Sequence, residues 1–229
     1  MLLFSLTAFR SSHTDLKISR FRQSQIRVRL GEYDFENEGE TESSTYDLAS
    51  MKMHEQYDPQ TFENDIAILT LDRNVIFSKS VQAACLPDSD FDYTGTRGTV
   101  TGWGTIYFGG PSSNILQEVT IPIWTNSECA TNYGKLDRKI ASTMMCAGNR
   151  DFGGQDACQG DSGGPLNCPL QNNVPGLPQY ELCGIVSWGA RCAEKGNKIL
   201  IFKNCMNLKK YFCRFSWCVY PSDKIFGLD

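Results

Sequence analysis

Gly160-Asp161-Ser162-Gly163-Gly164-Pro165, preceded by Asp156-Ala157-Cys158-Gln159, is the stretch of this 229-residue chain whose residue types can do chemistry together. At ordinary residue frequencies those six in order arise by chance in about one chain in 10⁵. A serine nucleophile must stand on a tight turn, with backbone N–H groups free to hold the oxyanion it creates. Glycine at 160 leaves the backbone uncovered, so the amides of Gly160 and Ser162 can form that hole. The plain alternative is a Gly-rich turn. Asp65 leads directly into the apolar run Ile66-Ala67-Ile68-Leu69. A carboxylate at the edge of buried structure needs a hydrogen-bonding partner, because an unpaired buried charge is costly. Residues 32–42 hold six carboxylates and no base. They read either as a solvated acidic loop or as a calcium loop anchored on Glu32 and Glu42, since hard cations take several carboxylate and carbonyl oxygens.

These groups have to be positioned by short strands. Ile26, Val28 and Leu30 alternate with Arg27 and Arg29, and Val119, Ile121 and Ile123 alternate likewise, the period of a half-buried strand. Leu182 to Trp188 is an apolar run of strand length. Turn clusters such as Gly109-Gly110-Pro111-Ser112-Ser113 separate the strands. A short helix is expected after Thr125-Asn126-Ser127, where capping side chains precede Glu128. The pattern is all-β, a sandwich or barrel, in two halves that meet near Pro87 to Gly98. With 41% hydrophobic residues the chain can build a sizeable core. A net charge of -4 and a pI near 5.3 argue against nucleic acid or an anionic membrane as partner. Ten cysteines without a C-x-x-C pair point to disulfides made in an oxidising compartment. Met1 to Phe9 is apolar but lacks a basic start and a small-residue cleavage site, so it reads poorly as a signal peptide.

The serine motif resembles that of the chymotrypsin/trypsin family of serine proteases. Asp65-Ile66-Ala67-Ile68-Leu69, Thr101-Gly102-Trp103-Gly104, Met145-Cys146-Ala147-Gly148 and Ser187-Trp188-Gly189 agree with it in type and order. Within that family, Gln25 to Phe35 and Ile121-Pro122-Ile123-Trp124-Thr125-Asn126 are most similar to the arthropod clip-domain proteases of clotting and melanisation cascades. The resemblance implies two six-stranded antiparallel barrels, about 1–95 and 96–198, with the active site in the cleft between them. It implies an extracellular endopeptidase in which Ser162 attacks, Asp65 orients a histidine, and the Gly160 and Ser162 amides hold the oxyanion. Asp156 falls where the family places the floor of its primary specificity pocket, which implies cleavage after Arg or Lys. Ser187 to Gly189 resembles the strand that pairs with substrate backbone. Implied partners are protein substrates with Arg or Lys at the cleaved bond and inhibitors of the serpin type; no cofactor is required, and calcium is the one candidate ion. Cys129–Cys146 and Cys158–Cys192 are the implied disulfides. Cys85 matches a position that clip proteases tie to a prodomain, and is expected here as a free thiol.

The chain departs from the family in four places. It holds two histidines, and neither stands in the family's Ala-Ala-His-Cys context. Leu6-Thr7-Ala8-Phe9 resembles the start of that motif but Arg10-Ser11-Ser12 follows; His13 is the candidate base, and otherwise a surface residue of a disrupted segment. His54 matches a surface-loop position. Active members carry a freed N-terminal Ile or Val that pairs with the aspartate before the serine, here Asp161, and no activation site precedes Leu6. With the start of the family domain missing, the first barrel is expected to be incomplete; Lys198-Ile199-Leu200 stands where the family continues toward a closing helix, so that helix is expected to be replaced and 199–229 to be a divergent tail. The alternative to an endopeptidase is a non-catalytic homologue that binds a partner. Finally, the family's usual partner for Cys168 is replaced by Gly98, while Cys183 stands in the strand leading to Ser187. The turn residues Asn172-Asn173, Pro175-Gly176 and Pro178 lie between them. A hairpin there predicts a Cys168–Cys183 bond; two independent buried thiols is the alternative, since a one-residue slip would turn them to opposite faces.

Overall fold

The computed structural model describes residues 22–37, 39–87, 91–107, 109–134, 139–149, 157–170, 180–189 and the backbone of 200–204. Strands β1 (Arg27–Leu30), β2 (Ser44–Met53) and β3 (Ala67–Leu71) form an antiparallel sheet in the order β1-β2-β3. The alternation expected for the first of them is realised: Val28 is buried and Arg27 exposed. Ile26, Val28, Tyr46, Leu48, Leu69 and Leu71 make the core of this half. Of the first barrel, which the sequence reading expects to be incomplete, the described residues show these three strands.

The second half is a closed barrel. Strands β4 (Arg97–Gly102), β5 (Gln117–Trp124), β6 (Met144–Ala147), β7 (Pro165–Pro169), β8 (Tyr180–Gly189) and β9 (Leu200–Asn204) pair antiparallel in the order β4-β5-β6-β9-β8-β7. Helix α1 (Asn126–Gly134) opens on a capping box: the Glu128 amide donates to Thr125 Oγ1 at 3.1 Å, and the Thr125 amide donates to Glu128 Oε2 at 3.3 Å. Cys129 and Tyr133, one turn apart, are its buried face. Strand β9 lies past residue 198, within the segment that the sequence reading sets apart as a tail. It pairs with both β6 and β8. Leu200-Ile201-Phe202 is apolar and β-prone enough to fill the gap between them, although it carries no alternation that would announce a strand.

Strand β8 is buried along Glu181 to Val186. Cys183 and Val186 face the barrel core beside Val100, Ile121 and Leu166. Leu182 and Ile185 face the other way and pack on Ile68 of β3. A regular strand alternates with period two, and a three-residue spacing on each face requires an extra residue. The ladder with β7 supplies it: Leu166 pairs with Gly184 and Asn167 with Leu182, leaving Cys183 as a bulge. The connector between the halves runs alongside, where the Leu182 amide donates to Cys85 O at 2.8 Å.

Two disulfides are complete among the described residues. Cys129 and Cys146 join α1 to β6 with Cα atoms 6.1 Å apart, and Cys168 and Cys183 join β7 to β8 with Cα atoms 5.8 Å apart. Cys168 pairs in register with Glu181, so Cys183 is its diagonal neighbour. Diagonal Cα atoms in a regular ladder lie about 7–8 Å apart, too far for a disulfide; the bulge draws this pair into range. The loop-entropy model gives such a link about 3 kcal/mol. Cys158 is disulfide-bonded, and Cys192, its expected partner, lies outside the described residues. Cys85 is also disulfide-bonded, which corrects the expectation of a free thiol.

Candidate active site

Ser162 stands exposed on the turn between Cys158 and β7. Gly160 and Gly163 take φ of +97° and +87°, a region that L side chains rarely adopt. The Asp161 amide donates to Cys158 O at 3.1 Å, and the Gly164 amide to Asp161 O at 2.8 Å. A side chain at Gly164 would meet Asp161 O at 2.8 Å, so the tightness of the turn itself excludes one. Among the described residues the amides of Gly160 and Ser162 donate to no protein acceptor.

Strand β8 brings the remaining groups to this turn. The Gly163 amide donates to Val186 O at 2.7 Å, and the Val186 amide donates to Gly164 O at 2.9 Å. The next residue, Ser187, donates its hydroxyl to Asp65 Oδ2 at 2.5 Å. Consecutive residues of one strand therefore hold the serine turn and the aspartate from the other half. Ser187 reaches Asp65 because it is the extra residue of a second bulge, this time against β9, where Val186 pairs with Phe202 and Trp188 with Ile201. Burial, then the charges of Asp65 and Asp58, push the Tyr57 phenol up. Gly189 ends β8, exposed.

Sequence reasoning missed an aromatic row centred on Trp188, the residue after Ser187. The Trp188 ring lies 5.9 Å from that of Phe62 and 5.1 Å, edge to face, from that of Tyr133. Phe62 is held at φ +59°, strained for a bulky residue, by its amide bond to Asp58 O at 2.8 Å. Tyr133 was within reach of the sequence, four residues after Cys129 on one helix face; nothing local announces Phe62.

Asp161 is mostly buried, with two backbone donors: the Gly104 amide at 2.9 Å to Oδ1 and the Cys158 amide at 2.8 Å to Oδ2. A side chain at Gly104 would meet the carboxylate at 2.5 Å, which explains a glycine there. No cation among the described residues faces it. Burial raises its carboxyl above the ordinary 3.8, against the lowering by the two amides, Cys158 first. A raised pKa means that ionising Asp161 costs stability. Its contribution is therefore fully present below pH 3.8 and is lost as pH rises through the raised value. Melting curves of the wild type and Asp161→Asn across that interval should show the difference moving in favour of the variant as pH rises. Parallel pH profiles would contradict the burial argument.

His13 and Asp156 lie outside the described residues. His54 is engaged with its own loop: its Nδ1 accepts the Gln56 amide at 3.1 Å and its amide donates to Ile66 O at 3.0 Å. In the acidic segment the Glu32 side chain is buried, with Oε2 2.6 Å from Arg29 Nε. This is an ion pair rather than an aligned hydrogen bond, because the Arg29 guanidinium directs its N–H groups at Ser43 Oγ, 3.0–3.1 Å away. Glu42 is exposed, and Glu40 accepts the Asp34 amide at 2.7 Å. Among the described residues no three acidic, histidine or cysteine side chains gather as a metal site would need. A guanidinium held against the loop's buried carboxylate does not fit a calcium ion at Glu32.

The trypsin family model matches residues 17–210. The chain is 42% identical to proclotting enzyme of Tachypleus tridentatus over 173 residues, 74% of this chain and 44% of that protein. It is 40% identical to serine proteinase stubble of Drosophila melanogaster over 174 residues, 75% of this chain and 21% of that protein. Against trypsin-1 of Astacus astacus it is 38% identical over 174 residues, 76% of this chain and 68% of that protein. It thus spans less than half the length of the first two relatives. With the barrel and the serine turn built as described, and a match over most of its length, the chain belongs to the trypsin family of serine proteases.

Proposed function

We propose that this site is that of a secreted endopeptidase that hydrolyses peptide bonds after Arg or Lys in an extracellular cascade. Ser162 is the nucleophile, Asp65 orients the base, and the Gly160 and Ser162 amides hold the oxyanion. Asp156 pairs with the substrate's basic side chain. The observation that carries this reading is the pair of adjacent anchors on β8, Val186 to the serine turn and Ser187 to Asp65. They fix nucleophile and orienting acid on one wall, which is what a base needs if it is to take the serine's proton while the aspartate holds its ring and stabilises its charged form. That base is a histidine. His54 is committed to its loop, which leaves His13 as the candidate within this chain. Asp161, mostly buried and facing no cation among the described residues, fits a zymogen-type switch in which a freed N-terminal amine supplies one. The chemistry requires no cofactor.

The test is covalent labelling by a fluorophosphonate. A chain completed with an Ala-Ala-His-Cys segment on its N-terminal side should label, and Ser162→Ala in that background should not. Absence of label on the completed chain would reject the reading in favour of a non-catalytic homologue that holds a partner in the same cleft.

A further inference from the structure

Cys168 has a neighbour on each side. Strand β4 pairs with β7 through Thr99–Asn167 and Val100–Leu166, which brings Gly98 beside Cys168. A Cβ at Gly98 would lie 3.4 Å from Cys168 Sγ. On the other side stands Cys183, and that is where the bond is made. A link to either neighbour would tie two strands of the barrel. Only the link to β8 acts on the strand that carries Val186 and Ser187.

We infer that the Cys168–Cys183 disulfide is a positioning device for the active site: it locks the bulge at Cys183, and so the register in which β8 presents Val186 and Ser187 to the serine turn. Three observations carry this. Cys183 is itself the extra residue, so the covalent bond sits on the defect and not beside it. Loss of the bulge would slip every following residue by one position in the ladder and turn its side chain to the opposite face. Ser187 Oγ would then leave Asp65 Oδ2, and Val186 O would leave the Gly163 amide. Third, both cysteines are fully buried and Cys183 Sγ lies against Leu166 O at 3.3 Å, so the link belongs to the core and holds Cys183 where its neighbours need it. Cys168 is six residues from Ser162, and Cys183 four from Ser187; the tether joins the two stretches of chain that must stay in register. The inference rests on the proposed roles of Ser162 and Ser187, but its test needs no turnover.

Hydrogen exchange on the full chain reads the tether directly at the Gly163 and Val186 amides. In Cys168→Ala/Cys183→Ala these two should exchange at least about tenfold faster, while Val100 and Ile121 in β4 and β5 change little, as local opening predicts. Cys168→Val/Cys183→Ala keeps more of the core volume and serves if the first variant does not fold. The decisive arm moves the link: Gly98→Cys/Cys183→Ala should form a β4–β7 bond and recover the melting temperature without recovering Gly163 and Val186 protection. Leu166 Cδ1, 2.6 Å from a Cβ at Gly98, would have to shift; if that variant fails, the alanine and valine pairs decide. Recovery of both properties by the moved link would overturn the inference. So would exchange that rises equally across the barrel, or does not rise. A failure of the Ser162 labelling test alongside the expected exchange would remove the proposed function and leave the tether standing.

Discussion

An arginine ester should be turned over by these 229 residues about 10⁶-fold more slowly than by a trypsin with a complete triad, the size of loss that removal of the histidine causes in an unrelated serine protease. The chain has two histidines. The His54 ring accepts a hydrogen bond from the backbone two residues on, in the loop after β2. His13 stands outside the Ala-Ala-His-Cys context. A serine hydroxyl without a base is a poor nucleophile, whatever the quality of its oxyanion hole. The residual rate should come from the Gly160 and Ser162 amides and from substrate binding, so His13→Ala should leave it within about a factor of two. Steady-state kcat/KM decides. A value within about a hundredfold of trypsin's would overturn the expectation, and a collapse in His13→Ala would identify His13 as the base.

In the completed chain, Asp156→Ser should lower kcat/KM for an arginine substrate by about 10⁴. A buried pocket built to pair with a charged group rejects what leaves a partner unpaired by about that factor. Here the loss follows from leaving the guanidinium without its carboxylate. Asp156 is two residues before Cys158, which is buried and disulfide-bonded, and Gly189, exposed at the end of β8, puts no side chain there. The comparison substrate is a phenylalanine ester, which gains nothing from Asp156. Equal turnover of the two esters by the completed chain would sink the assignment of specificity.

How much of this was legible in the sequence depended on how local each signal was. The alternation of Val119, Ile121 and Ile123 announced β5, and the Thr125–Glu128 box announced α1, because both are settled by neighbours within four residues. The serine turn was legible because its geometry needs glycines at fixed offsets. The link between Cys168 and Cys183 could be read as a hairpin, but not the bulge that makes it geometrically feasible, since a bulge is a property of two strands at once. For the same reason Leu200–Asn204 did not read as a strand, and Cys85 read as a free thiol. The acidic run at 32–42 invited a cation, and the cation that answers Glu32 came from Arg29, three residues before it.

The hydrogen bond between Ser187 and Asp65 spans 122 positions of chain. Closing so long a loop is entropically unfavourable until other contacts are in place. Those contacts include Ile68 against Leu182 and Ile185, with Ile66 and Leu86 at their margin, the Phe35 ring against Trp103, and the backbone bonds of Phe35 to Asn114 and Leu116 to Tyr33. Burying each such side chain is worth about 1.5–3 kcal/mol at most, less in sum than the closed barrel draws from its own core. The contacts between the halves are therefore expected to give way before those inside the barrel. In a denaturant titration the serine turn should survive on its strands after Asp65 has gone, so an intact nucleophile loop is no measure of an intact catalytic pair.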